Sequence, residues 1–143
     1  MAYAFQNPNE NCIKDYMEHA KTIAVVGLSQ RSESAAYRVA KFMQAMGYQI
    51  IPVNPTCAGQ EILGQVVYAS LKEVPVAIDI VDVFRPSQAL LDVANDFLET
   101  DAKVFWAQLG LESQEAEELL RANKRHDIVM NRCLKIDYKE LVL

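Results

Sequence analysis

The stretch Lys21-Thr-Ile-Ala-Val-Val-Gly-Leu-Ser-Gln-Arg31 decides the fold, because it passes from an apolar run into a polar loop that leads toward a helix. Thr22 to Val26 is continuous and rich in β-branched residues, which predicts a strand buried on both faces. Gly27 then permits a tight turn or the close approach of another molecule. A helix is predicted from Ala35 to Met46, and its free N–H groups and dipole favour an anion at this loop.

Strand-like apolar runs alternate with amphipathic segments along the rest of the chain. The predicted strands are Thr22 to Val26, Tyr48 to Pro55, Val76 to Val83, Lys103 to Gln108 and Asp127 to Met130. The predicted helices are Asn7 to Ala20, Ala35 to Met46, one that follows Pro86, and one that begins at Ser113. This alternation predicts an α/β fold: a Rossmann-like, doubly wound, parallel five-stranded sheet with helices on both faces, in three α/β/α layers.

The size of the chain predicts one domain over residues 1–143, in which a leading helix within residues 1–20 covers the sheet. With 143 residues and 51% hydrophobic content, the chain can bury roughly two-thirds of its unfolded surface. No apolar run approaches the roughly 20 residues of a membrane span, and the first residues lack the pattern of a signal peptide. We therefore expect a cytoplasmic location and no membrane contact.

Composition argues against several functional classes. The net charge of −5 is unlike that of nucleic-acid binders, which need a basic face for phosphates. Cys12, Cys57 and Cys133 lack metal-ligand spacing, so we expect free thiols and no metal site. The sequence shows no Ser-His-Asp set, P-loop or paired carboxylates, so no catalytic residue is assigned and an enzyme is not expected.

Ligands of such sheets bind at the carboxyl ends of the strands, near the point where strand order reverses. An NAD(P)-linked oxidoreductase is one alternative, but only Gly27 stands where a dinucleotide fingerprint has three glycines. The second strand also ends in Asn54-Pro55 rather than in an acidic residue that would bind ribose hydroxyls. A protein-interaction module without a ligand is the other alternative.

Short motifs at the strand exits carry a family resemblance over about residues 15 to 140. They are Ile23-Ala-Val-Val-Gly-Leu-Ser29, Tyr37-Arg-Val-Ala40, Gly47-Tyr48, Ile51-Pro-Val-Asn-Pro55, Val83-Phe-Arg85, Trp106-Ala-Gln-Leu-Gly110 and Asn131-Arg-Cys133. With these motifs taken together, the chain resembles the small stand-alone CoA-binding proteins, which are similar to the N-terminal domain of the succinyl-CoA synthetase α subunit. The resemblance implies non-catalytic binding of coenzyme A or a short acyl-CoA, in a carrier, sensor or regulatory role.

The resemblance also implies binding roles for residues at three strand exits. A phosphate cradle would consist of Gly27, Leu28, Ser29 and Arg31. The adenosine would be bordered by Val53, Asn54 and Pro55. The pantetheine arm would be lined by Val83, Phe84 and Arg85. A homo-oligomer or an unidentified protein partner remains open.

Four further residues are candidates for contact with the ligand. Arg38 competes with Arg31 and Arg85 as the cation for the 3′-phosphate, and the choice among them stays open. Tyr37 could stack on the ligand or pack in the core, and Gln108 could orient a ligand amide or bond within its loop. Cys133 could form a mixed disulfide with the CoA thiol, the alternative being a small half-buried structural residue.

Overall fold

The computed structural model describes residues 2–143, and its centre is a parallel sheet of five strands. The sheet strands are β1 (Thr22–Val26), β2 (Gln49–Val53), β5 (Ile80–Val83), β6 (Val104–Ala107) and β7 (Ile128–Val129). Their order is β2-β1-β5-β6-β7, and every pairing within this sheet is parallel. Strand order therefore reverses between β1 and β5, which is where ligands bind in open α/β sheets. The predicted Rossmann-like fold is confirmed.

Side chains alternate along the strands and divide the core into two apolar layers. The helices are α1 (Glu10–His19), α2 (Ala35–Ala45), α3 (Leu90–Leu98), α4 (Gln114–Ala122) and α5 (Leu134–Asp137). One layer packs the buried stripes of α3 and α4 against Ala24, Val81 and Phe105. The other packs α1, α2 and α5 against side chains such as Val25 and Trp106. The predicted three layers follow from this division.

The leading helix begins later than predicted, at Glu10 rather than Asn7. Asn9 caps the helix, because its side-chain oxygen accepts a hydrogen bond from the backbone N–H of Cys12 at 2.9 Å. Asn7 instead pairs its side-chain amide with the backbone of Met130, at 2.8 Å to the carbonyl and 3.1 Å from the N–H. This segment is thus fixed to the end of β7 before the helix starts, while α1 buries Ile13 and Met17.

The third predicted strand is also shorter, since β5 begins at Ile80 and not at Val76. Its neighbour β1 starts at Thr22, which lies beside Asp79, so residues 76–78 have no residue of β1 beside them. The carboxylate of Asp79 instead accepts the backbone N–H groups of Lys21 and Thr22, at 2.8 and 3.1 Å. Burial alone would raise the pKa of Asp79, but these bonds and nearby Lys103 lower it overall.

Two segments outside the sheet complete the structure. Within residues 56–70, β3 (Glu61–Ile62) and β4 (Gln65–Val66) form a short antiparallel hairpin. After α5 the chain continues as a π-helical turn over Tyr138–Val142 that lies against α1. Across residues 2–143, no helix combines the length and apolar character needed to cross a bilayer.

Candidate functional site

Two loops touch at the point where strand order reverses. Gly27, directly after β1, has φ of +94°, and a Cβ placed there would lie 2.7 Å from the carbonyl oxygen of Phe84. The backbone N–H of Phe84 in turn donates to Val26 at 2.8 Å, and that of Gly27 donates to Val53 at 2.8 Å. Both the positive φ and the close approach require glycine. In this structure the group that approaches Gly27 closely is the Phe84 carbonyl of the same chain.

Two clefts lie on either side of the loop after β5, Phe84-Arg85-Pro86, which lines both of them. We call them the minor cleft and the major cleft. The minor cleft, of about 360 Å³, is completed by Val26, Gly27, Asn54, Pro55 and Thr56. The major cleft, of about 690 Å³, is completed by Ala35, Arg38, Val39, Gln108, Leu109, Leu111, Cys133, Lys135 and Ile136. Together they run along the carboxyl edge of the sheet.

Asn54 organises the minor cleft by joining two strand exits. Its side-chain N–H donates to the carbonyl of Leu28 at 3.1 Å, while its oxygen accepts from the N–H and hydroxyl of Thr56 at 3.0 and 2.8 Å. Pro55 follows at the start of a 3₁₀ turn. The side chains of Leu28 and Val53 are buried in the core, so only their backbone groups could meet a ligand.

The loop before α2 is held by its own hydroxyl groups. Ser34 caps the helix by accepting from the N–H of Tyr37 at 3.2 Å, and Ser29 accepts from the N–H of Arg31 at 3.3 Å. The Arg31 side chain is 76% exposed, pairs with Glu33 at 3.3 Å and lines neither cleft. Tyr37 packs against the core layer beneath α2 rather than facing a cleft.

Gln108 and Cys133 lie together on the wall of the major cleft. The Gln108 side chain is 6% exposed, and its Oε1 accepts the backbone N–H of Leu134, the residue after Cys133, at 3.4 Å. Among residues 2–143, its Nε2 has no hydrogen-bond partner, and the Gln108 residue lines the major cleft. Gln108 therefore has donor capacity to offer a ligand carbonyl.

Cations surround this cleft, but Arg132 is not among them. Its guanidinium forms a two-pronged ion pair with Asp137 at 2.7 and 2.9 Å and reaches Glu10 at 3.5 Å. The Asp137 hydrogen bonds raise the pKa of Arg132. The Arg132 guanidinium is therefore committed to carboxylates rather than to the neighbouring Cys133. The cations that do line the major cleft are Arg38, Arg85 and Lys135.

Asp82 is a buried polar residue that the sequence did not single out. It lies in β5 two residues before Phe84 and so on the same face of the strand, between Val25 and Trp106 on neighbouring strands. Neither carboxyl oxygen has a hydrogen-bond partner within the described chain. Burial raises the pKa of Asp82 well above its usual range.

The structure brings together part of the predicted set. The predicted residues that line a cleft are Gly27, Arg38, Asn54, Pro55, Phe84, Arg85, Gln108 and Cys133. Those that line neither are Leu28, Ser29, Arg31, Tyr37, Val53 and Val83. Trp106 is fully buried and donates to the carbonyl of Arg132 at 2.8 Å, so it serves as a packing residue. Lys135, Ile136 and Leu109 were missed, although Leu109 and Ile136 are 60% and 47% exposed.

Comparison with known proteins identifies the family. A family model described as a CoA binding domain matches residues 21–139. The chain belongs to the CoA-binding domain family. This family relationship confirms the resemblance inferred from the strand-exit motifs, and each cleft residue named above falls within the matched range.

Two relatives of this CoA-binding domain cover more than nine-tenths of it, and a third protein shares its fold. The uncharacterized protein YneT of Bacillus subtilis (strain 168) is 50% identical over 131 residues, which is 92% of this chain and 95% of the relative. The structure of cell-free ID.343 from Thermus thermophilus is 34% identical with a TM-score of 0.89, covering 94% of this chain and 99% of that chain. A dinucleotide-forming acetyl-coenzyme A synthetase 1 from Ca. Korarchaeum cryptofilum shares the fold, with a TM-score of 0.63 at 24% identity, over 78% of this chain and 26% of that chain.

Proposed function

We propose that this chain binds coenzyme A, or a short acyl-CoA, reversibly at the carboxyl edge of its sheet, as a carrier, sensor or regulator. The observation that carries the proposal is the pair of clefts that meet at Phe84-Arg85-Pro86 in a member of the CoA-binding domain family. CoA is itself divided into an anionic nucleotide and a long, mostly uncharged arm. Two neighbouring clefts that share the Phe84-Arg85-Pro86 loop suit such a ligand.

The nucleotide is proposed to occupy the minor cleft. Gly27 and Asn54 supply backbone and amide groups there, and Pro55 offers an apolar edge to the adenosine. Arg85 lines both clefts and would meet a phosphate where the ligand passes from one to the other. Arg38 lines only the major cleft and donates a hydrogen bond to the carbonyl of Glu33, so it is the second candidate for a phosphate.

The pantetheine arm is proposed to lie in the major cleft. Leu109 and Ile136 expose large apolar side chains there, and their burial by the arm would be favourable. The donor capacity of Gln108 would be used by an amide carbonyl of the arm. An acyl group would extend the arm toward Cys133, since that residue lines the same cleft.

The described walls of the clefts carry neither an acid–base set nor a set of metal ligands. Neither cleft is lined by an Asp, Glu or His within residues 2–143, so a conventional acid–base pair is missing from the walls described. Over the same part of the chain, no three His, Cys, Asp or Glu side chains group closely enough to hold a metal ion.

Calorimetric titration with CoA, dephospho-CoA and NAD in a reducing buffer tests the proposal. We expect CoA to bind and dephospho-CoA to bind more weakly, because the 3′-phosphate is a charge-assisted hydrogen-bond acceptor. Binding of NAD in preference to CoA would overturn the proposal in favour of an NAD(P)-linked oxidoreductase. Absence of binding by all three compounds would overturn it in favour of a protein-interaction module.

A further inference from the structure

Cys133 is the cysteine that the fold places at the proposed ligand site. Its side chain lines the major cleft. Cys57 lines neither cleft, and its sulfur lies 3.9 Å from the carbonyl of Leu28. Cys12 lies on α1 and also lines neither cleft. Of the three free thiols, therefore, one is presented to a molecule in the major cleft.

A second, independent feature next to Cys133 indicates a ligand. Gln108 is more than nine-tenths buried, yet its Nε2 lacks a partner throughout the described residues. The other end of this amide is fixed, because Oε1 accepts the N–H of Leu134, which directly follows Cys133 in the chain. The Nε2 group is thus an unused donor on the wall of the major cleft, and a ligand carbonyl that accepted its hydrogen bond would favour binding at this point. The ligand amide would then lie beside the thiol.

We propose that Cys133 is a thiol–disulfide exchange site that retains CoA covalently when CoA is oxidised. The inference rests on the proposed function, since the nucleotide must first be held in the minor cleft. The co-reactant is CoA disulfide. The Cys133 thiolate attacks one sulfur of that disulfide, a new S–S bond forms between Sγ and this CoA, and the original S–S bond breaks. The second CoA leaves as a thiolate and takes up the proton that Cys133 lost.

The electrons of this exchange balance without a further oxidant. The sulfur of Cys133 is oxidised as the sulfur of the departing CoA is reduced, and a thiol reductant reverses the step. Selectivity would come from the clefts, because a bound CoA disulfide presents its sulfur to Cys133 at a high effective concentration. A disulfide without the nucleotide, such as glutathione disulfide, lacks that advantage.

The test is intact-mass spectrometry of the full chain after incubation with CoA disulfide at about pH 8, where an ordinary thiol is partly ionised. We expect one adduct per chain, equal in mass to CoA less two hydrogen atoms, located on Cys133 by peptide mapping and removed by dithiothreitol. The adduct should form on the order of tenfold faster or more than with glutathione disulfide. Adenosine 3′,5′-bisphosphate, which carries the nucleotide but no thiol, should slow it.

Matched variants complete the design. Cys133→Ser and Cys133→Ala should each abolish the adduct, whereas Cys12→Ser and Cys57→Ser should retain it. Reversible CoA binding, measured by calorimetry with reductant present, separates the two proposals. If CoA binds reversibly but Cys133 forms no adduct, or all three cysteines react alike with either disulfide, the exchange site is refuted and CoA binding stands. If CoA does not bind and no nucleotide-dependent adduct forms, both proposals fail.

Discussion

Replacement of Gly27 by alanine tests the contact that joins the two loops at the strand-order reversal. An L-residue at φ of +94° carries a backbone cost of about 1–2 kcal/mol. The new Cβ would also lie 2.7 Å from the Phe84 carbonyl oxygen, closer than real Cβ contacts come, and 3.2 Å from the carbonyl carbon. Relief of that overlap by movement of the backbone costs about 1–3 kcal/mol more. The variant should therefore lose about 2–5 kcal/mol of unfolding free energy.

Gly59 provides a matched control for the contact with Phe84. Its φ of +87° is close to that of Gly27, but no heavy atom lies within 4 Å of the Cβ that alanine would add. Gly59→Ala should therefore show only the backbone cost of about 1–2 kcal/mol. The difference in unfolding free energy between the two variants measures the cost of the overlap with Phe84, because the cost of the positive φ is common to both.

Urea unfolding followed by fluorescence is the assay, because Trp106 is the one tryptophan in the sequence and is fully buried. Gly27→Ala should also weaken CoA binding, since a displaced Phe84 backbone moves a loop that lines both clefts. Equal losses of stability in Gly27→Ala and Gly59→Ala would refute the reasoning, since the overlap with Phe84 would then contribute nothing.

Three further changes test the buried carboxyl, the cleft cations and the C-terminal ion pair. Burial raises the pKa of the Asp82 carboxyl in the folded state. Its contribution to the free energy of unfolding is therefore greatest below the unfolded-state pKa of about 3.9, and it is lost as pH rises toward the folded-state pKa. Wild-type stability should thus fall by up to about 1.4 kcal/mol per pH unit above pH 4, and Asp82→Asn should flatten this slope in urea titrations at several pH values. Arg85→Ala should weaken CoA binding about 10- to 100-fold in calorimetry, whereas Arg31→Ala, outside both clefts, should change it less than about threefold. Arg132→Ala should cost about 2–3 kcal/mol in urea unfolding because it leaves the buried Asp137 carboxylate unpaired, and a loss below about 0.5 kcal/mol would contradict that assignment.

Periodicity predicted the sheet because local pattern and tertiary burial agree there. The β-branched run of Thr22–Val26 is buried at every position, as a central strand of a parallel sheet should be. The stripes of the later helices were equally clear: α3 buries Leu90, Val93, Ala94 and Phe97, as its spacing predicts. These elements owe their form to burial on the sheet, which the sequence encodes in its spacing.

The boundaries that were wrong depend on contacts between distant parts of the chain. Asn7 is held by the backbone of Met130, which is 123 residues away, so no local pattern marks it as non-helical. The strand predicted from Val76 starts only at Ile80 because β1, its partner, begins at Thr22. Helix and strand ends are set by caps and partners as much as by propensity.

The site was predictable where it follows strand exits and unpredictable where it does not. The rule that ligands bind at the carboxyl ends of strands located Phe84, Arg85 and Gln108. It gave no reason to choose Lys135 or Ile136, because they lie on a short helix whose docking over the sheet leaves no periodic signal. The exposed apolar character of Ile136 becomes informative only once its neighbours in the major cleft are known.

The contact between Gly27 and Phe84 constrains how any ligand could use both clefts. Since the two loops touch, a ligand cannot pass between them and must cross over the loop that carries Arg85. A dinucleotide fingerprint uses its further glycines to bring a pyrophosphate close to the backbone after the first strand, whereas here the close approach at Gly27 is made by the Phe84 carbonyl. A flexible ligand with phosphates near its middle fits such a crossing, with Arg85 as the charge beneath it. The proposed placement of CoA therefore depends on Arg85 more than on Arg31, and the paired alanine variants measure that difference directly.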